Sequence, residues 1–166
     1  MDLNKLNKDN FDDVLNLFDS KFYFLTTYPN LVYEEELKNF LIESGQTYLV
    51  KDENKVVGIA YFKNYGSGYL FFKFKLNNFD NEKKSKSAFN KFLKILQNDE
   101  NELKRLESFL YEFERKDIEF LKKVGFYYES ERKDDVLLDN TLGSMFVYSA
   151  VDKEINNIFT YSEIYD

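Results

Sequence analysis

The first third of the chain shows apolar residues at helical spacing. This spacing predicts a helix over residues 9–20, which Asp9 or Asn10 is placed to cap. Its apolar positions are Phe11, Val14, Leu15 and Phe18. A second helix is predicted to begin near Tyr33, with three glutamates in its first turn, and to end before Gly45.

After Gly45 the pattern becomes that of strands. Three apolar or alternating runs are separated by two short turns rich in Asp, Asn and Gly. The runs are residues 47–50, 56–62 and 69–76. Short turns between such runs favour antiparallel neighbours, so the pattern predicts an antiparallel meander of three strands.

The second half alternates between helices and strands. A polar stretch over residues 77–87 leads into a helix whose apolar face contains Ala88, Phe89, Phe92, Leu93 and Leu96. A strand over residues 107–113, a helix over 115–124 that stops at Gly125, and strands at 126–128 and 145–148 follow. We expect one domain over residues 1–151 and assign no structure to the acidic, aromatic tail over 152–166.

Composition and charge exclude several classes of function. The 166 residues suit one domain, and they include no cysteine and no histidine. Disulfides, Ser–His–Asp and Cys–His catalysis and the usual zinc ligands are therefore excluded, and only a carboxylate Mg²⁺ or Ca²⁺ site stays open. The net charge of −7 argues against nucleic acid or an anionic membrane as partner. We expect a cytoplasmic protein, since no signal-like apolar run is seen. We also expect no bound metal.

One segment resembles a known family. Residues 117–126 read DIEFLKKVGF, which is similar to the segment a-i-x-f-[Y/L]-x-k-l-G-F of the GCN5-related N-acetyltransferase (GNAT) superfamily. The V-G-I-A run at residues 57–60 and the order of predicted elements, with a short strand added over residues 3–6, resemble the same family. The resemblance covers roughly residues 1–150.

The resemblance implies an α/β (α+β) fold in which a mostly antiparallel sheet of six to seven strands contains a splayed parallel pair and is flanked by about four helices. It implies an N-acetyltransferase that moves an acetyl group from acetyl-CoA, as co-substrate, to a primary amine of a small molecule or peptide. The backbone of Phe74, Lys75 and Leu76 would hydrogen-bond the pantetheine arm. The pyrophosphate would bind at the start of the next helix, at Lys83, Lys84, Ser85, Lys86, Ser87 and Ala88.

The pyrophosphate segment departs from the family pattern because its glycines are missing. Ser87 stands at the first of them, or Lys86 if the register slips by one residue. Charge still favours an anion site there. Residues 73–94 contain seven lysines against Asp80 and Glu82, a local charge of +5. Lysines at a helix start oppose the helix dipole, and a bound diphosphate would reverse that penalty. The alternative interpretation is a solvated lysine-rich loop.

The catalytic groups are less well defined. Leu121 stands where many family members carry a tyrosine that acts as general acid. Without histidine or cysteine, a general base must be a carboxylate, a tyrosine or a water relay, and Glu112 and Glu114 are the candidates. Glu114 falls where many members have a cofactor-contacting asparagine. Solubility at a strand edge is the alternative role for both carboxylates.

Two other functions stay open. The first is a GNAT-fold binding or regulatory protein that has lost the standard CoA loop and the acid. The second is an unrelated α+β interaction domain, which a sheet without a splayed parallel pair would favour. Whether the chain forms a homodimer is left open by the sequence.

Overall fold

The computed structural model describes residues 1–15, 17, 34–77, 80–99, 102–138 and 141–163. The strands are β1 Asp2–Lys5, β2 Gln46–Asp52, β3 Lys55–Gly66, β4 Tyr69–Leu76, β5 Arg105–Tyr111, β6 Tyr127–Leu138 and β7 Thr141–Val151. The helices are α1 Asp12–Leu15, α2 Glu34–Glu43, α3 Glu82–Asp99, α4 Arg115–Val124 and α5 Lys153–Glu163, with a 3-10 turn over Lys8–Asn10.

The seven strands form one sheet in the order β1-β2-β3-β4-β5-β7-β6. All neighbouring pairs are antiparallel except β4 and β5, which are parallel. The predicted meander is β2-β3-β4. The predicted α/β architecture, a mostly antiparallel sheet with one parallel pair, is confirmed, and the alternative of an unrelated α+β domain is thereby disfavoured.

Each face of the sheet buries its own apolar cluster. On one face, Phe72 and Phe74 of β4 pack on Phe89 of α3, with ring centroids 6.1 and 5.1 Å apart, and α4 and α5 extend this cluster. On the other face, Phe11 and Leu41 lie in a second cluster that holds α1 and α2 against the sheet. Burying a side chain of this size contributes about 1.5–3 kcal/mol, so these clusters fix the sheet between two helical layers.

The two ends of the chain differ most from the sequence expectations. The Asn7 side chain, rather than Asp9 or Asn10, caps the first turn, because its carbonyl accepts the Asp9 and Asn10 N–H groups at 2.9 and 3.1 Å. The predicted helix over residues 9–20 is represented by the 3-10 turn and α1, and its second half lies mainly outside the described residues.

The C-terminal tail over residues 152–166, to which the sequence assigned no structure, contains α5. Ile155 and Ile158 of this helix are buried in the cluster shared with α3 and α4. The helical spacing of these two isoleucines places both on the inner face, so residues 153–163 belong to the packed body of the protein rather than to a separate tail.

Candidate functional site at the splayed strands

The parallel strands β4 and β5 separate along their length. Their pairing ends at Phe71 opposite Glu107, although β4 continues to Leu76 and β5 to Tyr111. The two strand ends therefore diverge and leave an opening, called here the splay, between residues 72–76 and 108–111. Carboxyl ends of parallel strands that part in this way are common positions for ligand sites in sheets.

The β4 edge presents free backbone positions to the splay. The Asn77 N–H donates to Val57 O at 2.8 Å, and Lys75 lies opposite Ile59, so the backbone of Lys75 faces β3. Alternation then turns the N–H and C=O groups of Phe74 and Leu76 towards the splay. Of the three residues expected to bind pantetheine through their backbone, two have the required direction.

A buried chain of alternating charges crosses the splay. Lys73 Nζ donates to Glu114 Oε2 at 2.9 Å, Lys75 Nζ donates to Glu114 Oε1, and Lys75 Nζ lies 3.4 Å from Asp117 Oδ2. Lys73 Nζ also donates to Phe109 O of β5 at 2.6 Å. The four charged residues are only 1–7% exposed, so they form a buried ionic cluster with no net formal charge.

Glu114 is held at the centre of this cluster by the turn between β5 and α4. It stands at the N-cap position of α4, yet its side chain makes no helix-capping bond. Instead Oε2 accepts the Tyr111 backbone N–H at 2.8 Å. The carboxylate therefore points back into the splay, and its burial removes surface solubility as an explanation for it.

The charges in the cluster respond to burial in different ways. Burial lowers the pKa of Lys73, with the positive charge of Lys75 acting in the same direction and Glu114 opposing it. Burial opposes the charged forms of Lys75 and Glu114 too, but their neighbours outweigh it: the pKa of Lys75 is raised and that of Glu114 is lowered. Burial raises the pKa of Asp117. Glu114 and Lys75 thus form the charged core of the cluster, and Lys73 and Asp117 are its titratable ends.

Two buried polar atoms beside the splay have no hydrogen-bond partner. They are Oδ1 of Asp117 and Oγ of Ser108 on β5. Unsatisfied buried groups are uncommon in folded proteins because each costs about 1–3 kcal/mol. Their presence here marks the splay as a region where the fold does not complete its own hydrogen bonding.

The residues expected to bind pyrophosphate lie in the first turns of α3. Ser85 and Ala88 are buried, and two of the three lysines, Lys84 and Lys86, are engaged in ion pairs. Lys84 Nζ contacts both oxygens of Asp52 at 3.1 and 2.8 Å, and Lys86 pairs with Glu82 at 2.9 Å. The Lys84 side chain is 41% exposed, and ion pairs at such exposure are weak and exchange readily, so its ammonium group stays available to a stronger anion.

The N-terminus of α3 is capped by its own chain. The Asn81 side-chain carbonyl accepts the Lys84 N–H at 3.0 Å, which occupies one of the backbone donors that an anion at this helix end would use. In addition, the local charge of +5 is not collected at one place. Lys73 and Lys75 are buried in the splay, and Lys91 pairs with Asp2 at 2.7 Å.

The two candidate carboxylates lie in different places. Glu114 lies in the splay, whereas Glu112 lines a surface cavity of about 400 Å³ on the other side of α4, together with Glu119, Tyr128 and Tyr148. The sequence placed both residues at the end of β5 but could not separate their directions. Only Glu114 is brought into contact with the expected cofactor strand.

Leu121 lies in the core and contributes no proton-bearing group. It is 2% exposed and belongs to the cluster formed by α3, α4 and β4. Gly125 ends α4 with a φ of 107°, and its N–H and that of Phe126 close the last turn. The K-x-G-F segment that carried the resemblance is therefore a left-handed helix terminus leading into β6.

Sequence reasoning missed Lys73 and Asp117. The signal for Lys73 was its alternation with phenylalanines in the third predicted strand, which puts Lys73 and Lys75 on one face. The signal for Asp117 was a charged residue at the position where the resembled segment has alanine. Neither signal indicates burial, which depends on Glu114, 41 residues away from Lys73.

The described residues fit acetyl-CoA in part. The splay-facing backbone of β4 and the lysines of α3 suit the pantetheine and the phosphates, while the Asn81 cap and the buried cluster occupy positions next to them. Among the described residues, no group of three or more acidic side chains is arranged to hold a metal ion. Nor does that part of the chain include a helix long and apolar enough to span a membrane.

Comparison with known proteins identifies the fold. No protein-family profile matches the chain, and no curated protein matches it in sequence. Solved structures do match. The protein smu.2055 from Streptococcus mutans UA159 has a TM-score of 0.72 at 14% identity, covering 91% of this chain and 99% of that one.

Two acetyltransferases are similar to the same extent. A probable acetyltransferase from Staphylococcus epidermidis has a TM-score of 0.69 at 15% identity over 90% of this chain and 98% of that one. A mutant of spermidine N-acetyltransferase from Vibrio cholerae has a TM-score of 0.73 at 12% identity over 93% and 97%. With the splayed β4–β5 pair and the glycine-ended α4, these matches show that the chain has the fold of the GNAT superfamily.

Proposed function

We propose that this protein is an N-acetyltransferase that uses acetyl-CoA and a primary amine of a small molecule or peptide. The observation that carries the proposal is the splay, whose β4 edge offers the backbone of Phe74 and Leu76 to a ligand. Fold alone does not fix function, so the argument depends on this edge and on the charged groups around it.

The chain's own residues would divide the work. The Phe74 and Leu76 backbone orients the acyl thioester, which supplies the activated acetyl group. Lys83, Lys84 and Lys86 at the start of α3 attract the phosphates, once the pairs of Lys84 with Asp52 and of Lys86 with Glu82 exchange. Glu114 is too well paired to act as a free base, because Lys73, Lys75 and the Tyr111 N–H all stabilise its ionised form.

Direct measurement tests this proposal. Calorimetry at low salt with acetyl-CoA should show binding, and thiol release with a panel of amines at neutral pH should show turnover. The panel should include a polyamine, free amino acids and a peptide with a free N-terminus. Absence of acetyl-CoA binding up to millimolar concentration would overturn the proposal.

A second candidate is a GNAT-fold protein that binds or regulates without catalysis. The Asn81 cap on α3 favours it, because that side chain occupies a backbone donor needed by a phosphate. Acetyl-CoA binding without thiol release for any amine, or no binding at all, would support this candidate over the enzyme.

A further inference from the structure

We propose that Lys73 is the proton-transfer group of the acetyl transfer and serves in place of the tyrosine that position 121 lacks, with Glu114 as its positioning residue. This inference rests on the acetyltransferase function proposed above. It goes beyond that function by assigning the acid and base role to a lysine on β4, within the splay itself.

The first argument is position. Lys73 Nζ reaches across the splay from β4 to Phe109 O on β5, at 2.6 Å, and so forms a wall of the opening. The Phe74 backbone faces the same opening. A thioester held on that edge therefore has the Lys73 nitrogen on the far side of the splay, whereas Leu121 offers only a methyl-bearing side chain in the core.

The second argument is protonation. A neutral amine has two N–H bonds, and Nζ has two acceptors within hydrogen-bond distance among the described residues, Phe109 O and Glu114 Oε2. The Tyr111 ring centroid lies 5.5 Å away. A neutral Lys73 can thus donate both hydrogens and keep its lone pair for a proton.

The surrounding charges support a lysine that exchanges protons. Burial lowers the pKa of Lys73 despite the Glu114 carboxylate, and Lys75 on the same strand adds to that effect. Asp117 of α4 partly opposes it. Arg132 of β6 lies over the Phe109 ring, 5.5 Å from its centroid, and brings a further positive charge to the β5 side. Catalytic lysines are commonly tuned by burial in this way.

The third argument is that Glu114 can hold Lys73 without depending on it. Lys75 and the Tyr111 N–H bind the same carboxylate, so Glu114 stays ionised and fixed while Lys73 gains or loses a proton. A buried ion pair whose anion keeps a second cation can lose its first cation with less penalty.

The proposed step balances as follows. The neutral Lys73 amine takes one proton from the entering acceptor ammonium, and the freed amine nitrogen forms a bond to the acetyl carbonyl carbon. The C–S bond breaks, and the sulfur lone pair takes the proton from the Lys73 ammonium. The acylated nitrogen releases its second proton to solvent. The products are the amide, the free thiol and one proton, with Lys73 neutral again.

The experiment compares wild type with Lys73→Arg, which keeps the charge and the ion pair but cannot release a proton. The Lys73→Arg protein should bind acetyl-CoA as the wild type does in calorimetry, and its kcat should fall about 10²–10⁴-fold. In the wild type, kcat/KM should rise with pH as Lys73 becomes neutral, and this rise should be absent from Lys73→Arg. The defect should shrink with an acetyl thioester of an acidic aromatic thiol, because such a leaving group needs no proton. Lys91→Arg, at a surface pair, is the matched control.

Each outcome of this experiment supports or overturns the role of Lys73. Full activity in Lys73→Arg means that the ion pair is only structural and overturns the inference while leaving the acetyltransferase in place. A wild type without turnover overturns both. If the arginine variant does not fold, Lys73→Met removes the amine together with its charge, and full activity in that variant overturns the inference. In addition, NMR titration of the wild-type chain with ¹³C-labelled lysine follows the Lys73 amine itself. A Lys73 amine that titrates at or above the ordinary lysine pKa overturns the inference.

Discussion

Lys75 Nζ lies 3.4 Å from Asp117 Oδ2, the longest link in the buried chain of charges, while Asp117 Oδ1 has no partner. Asp117 is therefore buried, and its carboxyl group is incompletely compensated. The cluster gains its strength from Glu114, which takes part in every shorter link. Removing Asp117 charge and removing Glu114 charge should consequently have opposite effects on stability.

Asp117→Asn should raise the free energy of unfolding, and the increase should be larger at neutral pH than at acid pH. Because burial raises the pKa of Asp117, the folded state holds this proton more tightly than the unfolded state. The ionised form then costs stability, increasingly as pH rises through the folded-state pKa. The variant removes that cost, so its gain in unfolding free energy should grow from acid to neutral pH.

Urea unfolding of wild type and variant across this pH range measures the difference. Asp80→Asn is the matched control, since Asp80 lies at the surface, 3.7 Å from Lys116, and its removal should show little pH dependence. A gain that shrinks towards neutral pH would mean that the contact with Lys75 outweighs the burial of Asp117.

Lys84→Glu combined with Lys86→Glu should weaken acetyl-CoA binding by at least about tenfold, the loss of one charge-assisted hydrogen bond. Stability without ligand should fall slightly rather than rise, because both lysines pair with carboxylates, Asp52 and Glu82. Calorimetry at low salt and a thermal melt check these expectations.

The control for this double variant has the same charge change elsewhere. Lys104→Glu with Lys133→Glu alters two exposed lysines outside the first turns of α3. Equal loss of affinity in both variants would indicate long-range charge rather than a phosphate site. Unchanged affinity in the α3 variant would remove these lysines from the binding argument.

The sequence predicts features that depend on neighbouring residues, but not those that depend on residues far apart in the chain. The bounds of α4 and its stop at Gly125 follow from spacing within about ten residues and from the conformational freedom of glycine, so they were predicted correctly. The ionic cluster joins Lys73 to Glu114 through 41 residues of intervening chain. Sequence pattern gives each residue a face of a strand or a turn, but not the side chain that meets it there.

The same reasoning explains the charge argument at α3. Counting lysines along residues 73–94 treated strand and helix as one surface, whereas alternation in β4 turns Lys73 and Lys75 into the splay. The expected catalytic role of Glu112 and Glu114 and the expected pyrophosphate residues stay predictions. Their positions are now defined, and the Lys84→Glu and Lys86→Glu double variant tests two of the pyrophosphate residues.

Gly125→Ala should destabilise the protein more than Gly66→Ala. Both glycines have positive φ, 107° and 82°, where an alanine costs about 1–2 kcal/mol. A Cβ at Gly125 would lie 3.1 Å from Ile158 Cγ1 of α5, whereas nothing lies within 4 Å of one at Gly66. Chemical unfolding gives both losses. Equal losses would mean that the contact between the α4 terminus and α5 is loose.

Leu121→Ala should cost about 2–5 kcal/mol of unfolding free energy, because it leaves a cavity in the core between α3, α4 and β4. Leu142→Ala, at a leucine that is 55% exposed, is the control and should change stability little. If Leu121 serves only packing, turnover per folded molecule should equal that of wild type once the folded fraction is measured by circular dichroism. A loss of kcat in fully folded Leu121→Ala would instead show that this position shapes the reaction centre, and would weaken the assignment of proton transfer to Lys73.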